Sequence, residues 1–197
     1  MSSPSRPLAV AVLLTCLTLH SVPRASAAAS DAPAAVTGEI AARAFDRLKT
    51  LEGTWVGKST KGWEERVQYR VIAKQSCLME TSFDAHPNEE MVTMICPDGD
   101  RLLLTHYCVA MNQPRLVLTS AAPDLSQMTF EFLDGTNLPS RDEGHMDKVI
   151  FKFAGADEFT SQWTWYQDGK ENWMEEIRST RVKDGEAPAA VMPAAGG

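Results

Sequence analysis

From residue 54 onward the chain is a run of short stretches in which apolar and polar residues alternate one by one, each stretch ended by Gly, Pro, Asn or Asp. Val67, Tyr69 and Val71 alternate with Arg66, Gln68 and Arg70; Met128, Phe130 and Phe132 with Thr129 and Glu131; Phe159, Trp163 and Trp165 with Thr160, Gln162 and Thr164. A period of two sends successive side chains to opposite sides of a strand, so each stretch has one dry and one wet face. The stretches are 54–59, 63–73, 77–83, 91–96, 101–109, 115–121, 127–133, 146–154, 158–167 and 170–182. Short strands at this spacing with turn residues between them predict an antiparallel sandwich or barrel. A transmembrane barrel needs more even strands, whereas a soluble one with an apolar interior accommodates them. The expected fold class is all-β: about ten antiparallel strands in an up-and-down barrel, preceded by one short N-terminal α-helix.

The helix is predicted over 38–51, where Ile40, Ala44, Leu48 and Leu51 recur at helical spacing with Arg43, Asp46, Arg47 and Lys49 on other faces, and Gly53 stops it. Before it, residues 1–27 carry Arg6, a 12-residue apolar run over 8–19 and the small-residue ending Ala25-Ser26-Ala27. This is the layout of a secretory signal peptide, and the run is well short of the ~20 residues that span a bilayer. Residues 28–37 read as a flexible leader, 38–183 as the barrel domain with its helix, and 184–197 as a flexible tail. The expected location is secreted or periplasmic. The whole chain has 19 basic and 26 acidic side chains and a net charge of -7; removing residues 1–27 takes away Arg6 and Arg24 and leaves 17 basic against 26 acidic. A scattered basic minority argues against a nucleic-acid partner, whose phosphates are bound by clustered Lys and Arg.

Export makes disulfides possible, and Cys77, Cys96 and Cys108 follow the signal-like segment. Cys77 and Cys96 are equidistant from the centre of the turn-rich Ala85-His86-Pro87-Asn88, so a hairpin there sets them opposite each other, within disulfide range. Three buried thiols acting as small apolar groups are the alternative. Two other hairpins offer registers. A three-residue loop at Pro97-Asp98-Gly99 pairs Met94 with Leu102 and sets His106 on the face of Met79, Met94, Leu102 and Leu104. A two-residue turn at Asp168-Gly169 pairs Trp163 with Met174, Ser161 with Glu176 and Phe159 with Arg178, which turns Glu176 and Arg178 inward.

A helix followed by Gly53-Thr54-Trp55 at the head of about ten strands resembles the calycin group of lipocalins, fatty-acid-binding proteins and nitrobindin-like barrels; the tract from Asp98-Gly99-Asp100 to Tyr107-Cys108, followed by Asn112-Gln113-Pro114, looks like uncharacterised bacterial secreted proteins of that group. The likeness covers about residues 40–183. It implies that Trp55 plugs the closed end of the barrel with an Arg of the last strand, Arg178 or Arg181, lying across it. No His follows His145, so the C-terminal haem ligand of nitrobindin-like barrels has no counterpart.

The expected function is non-catalytic binding of a small apolar or amphipathic molecule inside the barrel, with Tyr69, His106, Trp163, Trp165, Glu176 and Arg178 as lining and Arg178 available for a ligand carboxylate. Three alternatives stand beside it: a haem or other tetrapyrrole on His106, a hydrolase or isomerase using His106 and Glu176, and a filled structural barrel. His106 and Cys108 also suggest a base and nucleophile, although no third orienting group accompanies them. The long connection 134–145 reads as a solvated acidic loop or a flap over the barrel mouth; Asp142, Glu143, His145 and Asp147 match no defensible metal spacing. No phosphate-binding Gly loop, His-Glu-x-x-His or Gly-x-Ser-x-Gly occurs.

Overall fold

The computed structural model describes residues 34–83 and 90–183. The signal-like segment 1–27, the residues 84–89 where the sequence predicts a turn, and the expected tail 184–197 lie outside the described residues. A short strand β1 (Ala34–Ala35) precedes helix α1 (Gly38–Lys49), and ten strands follow: β2 (Gly53–Ser59), β3 (Glu64–Ile72), β4 (Cys77–Phe83), β5 (Met91–Asp98), β6 (Arg101–Tyr107), β7 (Gln113–Ala121), β8 (Gln127–Thr136), β9 (His145–Phe153), β10 (Glu158–Gln167) and β11 (Lys170–Arg181). Each strand from β2 to β11 pairs antiparallel with its chain neighbour, and β11 pairs back to β2 through Ile177 with Ser59 to Arg181 with Trp55. The ring is therefore a closed up-and-down barrel, and closure removes the sheet edges that would otherwise template unwanted pairing. The expected leader contributes more than anticipated: Ala34 and Ala35 pair with Ala121 and Ser120 of β7, and Thr37 caps the helix, its Oγ1 accepting from the Ile40 amide at 3.4 Å.

Alternation decides what fills the barrel. Leu102, Leu104 and His106 of β6, and Val149 and Phe151 of β9, are buried, with partly exposed residues between them. Ala41, Ala44, Phe45 and Leu48 form the buried face of α1, which packs with β5, β6 and β7 at one end. Beneath it Trp55, Tyr69, Phe151, Phe153 and Phe159 meet ring to ring, with Phe159 at 4.9 Å from Trp55 and 6.0 Å from Tyr69. The Trp55 indole donates to the Leu51 carbonyl at 2.7 Å. The Arg181 guanidinium lies 4.2 Å over the same ring and donates to the carbonyls of Thr50 and Glu52, both at 2.7 Å. Arg181, rather than Arg178, thus closes this end, joining the last strand to the turn after the helix.

One hairpin forms with the expected register and two do not. In β4–β5, Leu78 faces Ile95 and Met79 faces Met94; Cys77 and Cys96 are disulfide-bonded with Cα atoms 4.6 Å apart. In β5–β6 the turn has two residues, Gly99 and Asp100, so Asp98 faces Arg101, Ile95 faces Leu104 and Thr93 faces His106. Gly99 takes φ 59°, the left-handed region that favours glycine. The inward partners of His106 and Leu104 are consequently Thr93 and Ile95, while Met79 and Met94 point outward. In β10–β11 the two-residue turn forms as expected, with Asp168 and Gly169 at φ 54° and 78° and Gln167 facing Lys170. Asn172 is then an extra residue on β11, so Trp165 faces Trp173, Gln162 faces Glu176 and Thr160 faces Arg178. That single bulge reverses the strand beyond it: Glu175, Ile177 and Ser179 are buried, and Glu176 and Arg178 stand on the outer surface.

Candidate functional site

Side-chain size divides the barrel. Inward positions near the helix hold Trp, Phe, Tyr and Leu, which fill the lumen, whereas Glu65, Ser82, Thr93 and Ala110 occupy the other end. Those short or polar groups leave a cavity of about 530 Å³. Its aromatic wall is Trp63, Trp163, Trp165 and Trp173, the last two stacked with centroids 5.9 Å apart and planes 1° from parallel. Lys61 lies 4.7 Å over the Trp173 ring. The volume matches pockets that enclose one small organic molecule, and the pattern of apolar walls with few polar groups is typical of them.

The polar part of the cavity is a row across four strands. Tyr69 on β3 faces Glu80 on β4, Glu80 faces Thr93 on β5, and Thr93 faces His106 on β6. All four side chains point inward and are hydrogen-bonded in sequence: the Tyr69 and Thr93 hydroxyls donate to the Glu80 carboxylate, and Thr93 Oγ1 lies 3.0 Å from His106 Nδ1. Beside this row, Ser82 Oγ of β4 donates to Glu65 of the adjoining β3, and Ser59 Oγ of β2 donates to Glu175 of β11. Burial pushes the Glu80 carboxyl up to about 8, and the neighbouring Glu65 pushes it the same way, against the two hydroxyl donors. Burial likewise raises Glu65 to about 7, opposed by Ser82 and reinforced by Glu175. Burial holds His106 down at about 4, so its ring is neutral at pH 7. Tyr69 is driven well above its ordinary value, first by burial and then by Glu80 and Glu65.

Among the described residues three buried side-chain polar atoms have no hydrogen-bond partner in the protein: Glu80 Oε2, His106 Nε2 and Asn112 Oδ1. The first two belong to cavity-lining residues. Buried polar atoms are nearly always satisfied, because stripping one of water without replacing its hydrogen bond costs about 1–3 kcal/mol. Thr93 engages the His106 ring through Nδ1, so Nε2 is the ring nitrogen left without a partner. Two adjacent walls of one cavity therefore carry unsatisfied hydrogen-bonding atoms.

The residues singled out from sequence distribute unevenly over this site. His106, Trp163 and Trp165 line the cavity, with the His106 ring 5.1 Å from that of Trp163. Tyr69 lies beneath it, between the Phe159 ring and Glu80. Glu176 and Arg178 do not take part, because the Asn172 bulge turns them out: Glu176 accepts from Gln162, and Arg178 is 67% exposed and pairs with Glu158 at 3.4 Å. An acid–base pair of His106 with Glu176, and a carboxylate clamp on Arg178, are accordingly removed by the register. The carboxyl that reaches His106 is Glu80, through Thr93. Glu65, Glu80, Glu175, Trp63 and Trp173 were missed, although Glu65 continues the Val67–Tyr69 alternation and Glu80 follows Leu78 by two.

Cys108 lines the cavity, but burial raises its thiol above the ordinary value, the reverse of what an activated nucleophile needs. The connection between β8 and β9 is pinned rather than free. The Arg141 guanidinium sits 3.7 Å from the Tyr166 ring and 4.4 Å from that of Phe132, and pairs with Asp147. His145 Nδ1 lies 2.6 Å from the Glu143 carbonyl, Asn112 donates to the Gly144 carbonyl at 2.8 Å, and the Asp168 amide donates to that of Asp142 at 2.9 Å. Asp147 and His145 are thereby committed to the loop's own anchorage. No helix among the described residues is long and apolar enough to cross a membrane.

No protein-family profile matches the chain, and no curated protein matches its sequence. Among solved structures it is similar to a protein of unknown function from the DUF3598 family of Nostoc punctiforme, at 12% identity and a TM-score of 0.46, over 68% of this chain and 49% of that one. The chain thus spans about half the length of that structural neighbour.

Proposed function

We propose that the protein is an exported, non-catalytic barrel of calycin type that holds one small, largely apolar molecule in the cavity opposite its helix. The observation that carries this reading is the coincidence, in one tryptophan-walled space of about 530 Å³, of two buried polar atoms left without protein partners. A filled structural barrel would not retain both the volume and the unsatisfied groups, since each reduces stability. The depressed basicity of His106 and the raised Cys108 thiol favour binding over catalysis. Native mass spectrometry of the protein purified from its own compartment is expected to show a co-purifying small molecule that Trp163→Ala releases. A bare chain mass, together with unchanged tryptophan fluorescence across a panel of apolar compounds, would contradict it.

A second reading, a haem or other tetrapyrrole on His106, has the free Nε2 in its favour. The acidic wall of Glu65, Glu80 and Glu175 opposes the carboxylates that such a group carries. An absorption band of ferric haem on reconstitution, lost in His106→Ala, would select this reading over the first.

A further inference from the structure

We infer that the cavity takes a protonated organic amine with an apolar body, its ammonium seated between Glu80, His106 and the neighbouring acidic side chains Glu65 and Glu175. This rests on the cavity being a ligand site, and goes further by assigning the charge and hydrogen-bonding character of the ligand.

The lining itself separates the ligand classes. Its titratable residues are Glu65 on β3, Glu80 on β4, His106 on β6, Cys108 after β6, Glu175 on β11, and Lys61, whose Nζ lies over the Trp173 ring. A carboxylate ligand would meet three acids and, of the cations among the described lining residues, only Lys61 over the Trp173 ring, because the register that faced Arg178 inward does not form. A purely apolar ligand would leave Glu80 Oε2 and His106 Nε2 as they are, without partners. An alcohol has only one hydrogen to donate. An ammonium group has up to three: once Glu80 is ionised its Oε2 accepts, and with Thr93 donating to that carboxylate the His106 proton sits on Nδ1 and Nε2 accepts as well. The hydrogen-bond row supports that outcome: Tyr69 and Thr93 already donate to Glu80, so the carboxylate is prepared to carry charge when a cation arrives. The tryptophans supply faces for the apolar body and for carbons next to the charged nitrogen.

Binding then has a proton signature. Glu80 and Glu65 hold protons in the empty cavity, and a cation beside them favours their ionised forms, so amine uptake releases protons to solvent. Neutral and anionic ligands of the same length do not.

The test compares n-octylamine, n-octanol and octanoate, three probes of equal length, titrated into the full-length protein near pH 7 and followed by tryptophan fluorescence. Calorimetry in two buffers of different ionisation enthalpy counts the protons. The expected result is that octylamine binds about tenfold or more tightly than either analogue, with proton release for the amine alone. In Glu80→Gln, which keeps the shape and removes the charge, the preference for octylamine over octanol falls by about tenfold. Octanol or octanoate binding as tightly as octylamine would overturn the amine assignment and leave the binding cavity standing. Failure of all three to bind would overturn both. The proton count on the unmodified protein decides the question even if Glu80→Gln does not fold.

Discussion

The two ends of this barrel are built from the same ten strands and solve opposite problems. At the helix end, Trp55, Phe151 and Phe159 fill the lumen, the Trp55 N–H has the Leu51 carbonyl, and Arg181 spends its guanidinium on ring face and carbonyl oxygens. At the other end three carboxyls, an imidazole and four indoles surround empty volume, and two polar atoms stay unsatisfied. The difference teaches where stability and function are separated. One end contributes packing, and the other gives some of it up for a space that a ligand can complete.

The largest effect should come from breaking the filled end. Trp55→Ala is expected to lose about 3–5 kcal/mol by urea denaturation, because a fully surrounded indole leaves a new cavity. Trp163→Ala, at the site, is expected to lose no more than about half as much, since one side of that ring already faces open volume. Equal losses would deny the contrast between the two ends.

A smaller, pH-dependent effect sharpens it. Glu80 and Glu65 have folded values of about 8 and 7, raised above the ordinary carboxylate value of 4.5. Their stabilising contribution is complete below about pH 4.5 and is lost as pH rises through about 7 to 8. His106 has the opposite sign: lowered from 6.5 to about 4, it contributes stability above pH 6.5 that is lost as pH falls through 4. Between about pH 7 and 8, where His106 is neutral in the folded state and mostly so in the unfolded one, stability should decline with pH by an amount on the order of 1 kcal/mol. Glu80→Gln should flatten this decline, as read from denaturation midpoints across that range. A midpoint that rises over the same range would contradict the buried-carboxyl row of Tyr69, Glu80, Thr93 and His106, with Glu65 beside it.

The smallest effect distinguishes two arginines three residues apart. Arg181→Ala should destabilise by about 1–2 kcal/mol, losing the stack on Trp55 and charge-assisted bonds to Thr50 and Glu52. Arg178→Ala, which removes an exposed pair with Glu158, should change stability by less than about 0.5 kcal/mol. The reverse order would place Arg178 inside after all.

Much of the fold was legible because its evidence is local. Alternation and turn residues located the ten strands, and equal distance from one turn placed Cys77 opposite Cys96. The same register places Glu80 opposite Thr93, so half of the polar row was implicit in the disulfide pairing. The rest was not, for two concrete reasons. Pro97-Asp98-Gly99 suits a three-residue loop, yet Pro97 and Asp98 continue β5 and the turn uses Gly99 and Asp100, which moves Thr93 rather than Met94 to the inside beside His106. Asp168-Gly169 forms the anticipated turn, but the Asn172 bulge three residues later exchanges Glu175 for Glu176 on the inner face.

By itself, then, the amino-acid order determined the ten barrel strands, the helix and the placing of Cys77 opposite Cys96, because period-two patterning and turn chemistry act between near neighbours. Which charged side chains enter the lumen was decided only when the strands closed. A sheet has two faces, and one residue added to a strand or removed from a turn exchanges them. The chemistry of the cavity follows from that closure, since Glu65, Glu80 and His106 depart from their ordinary acidities only once the surrounding strands have removed them from water.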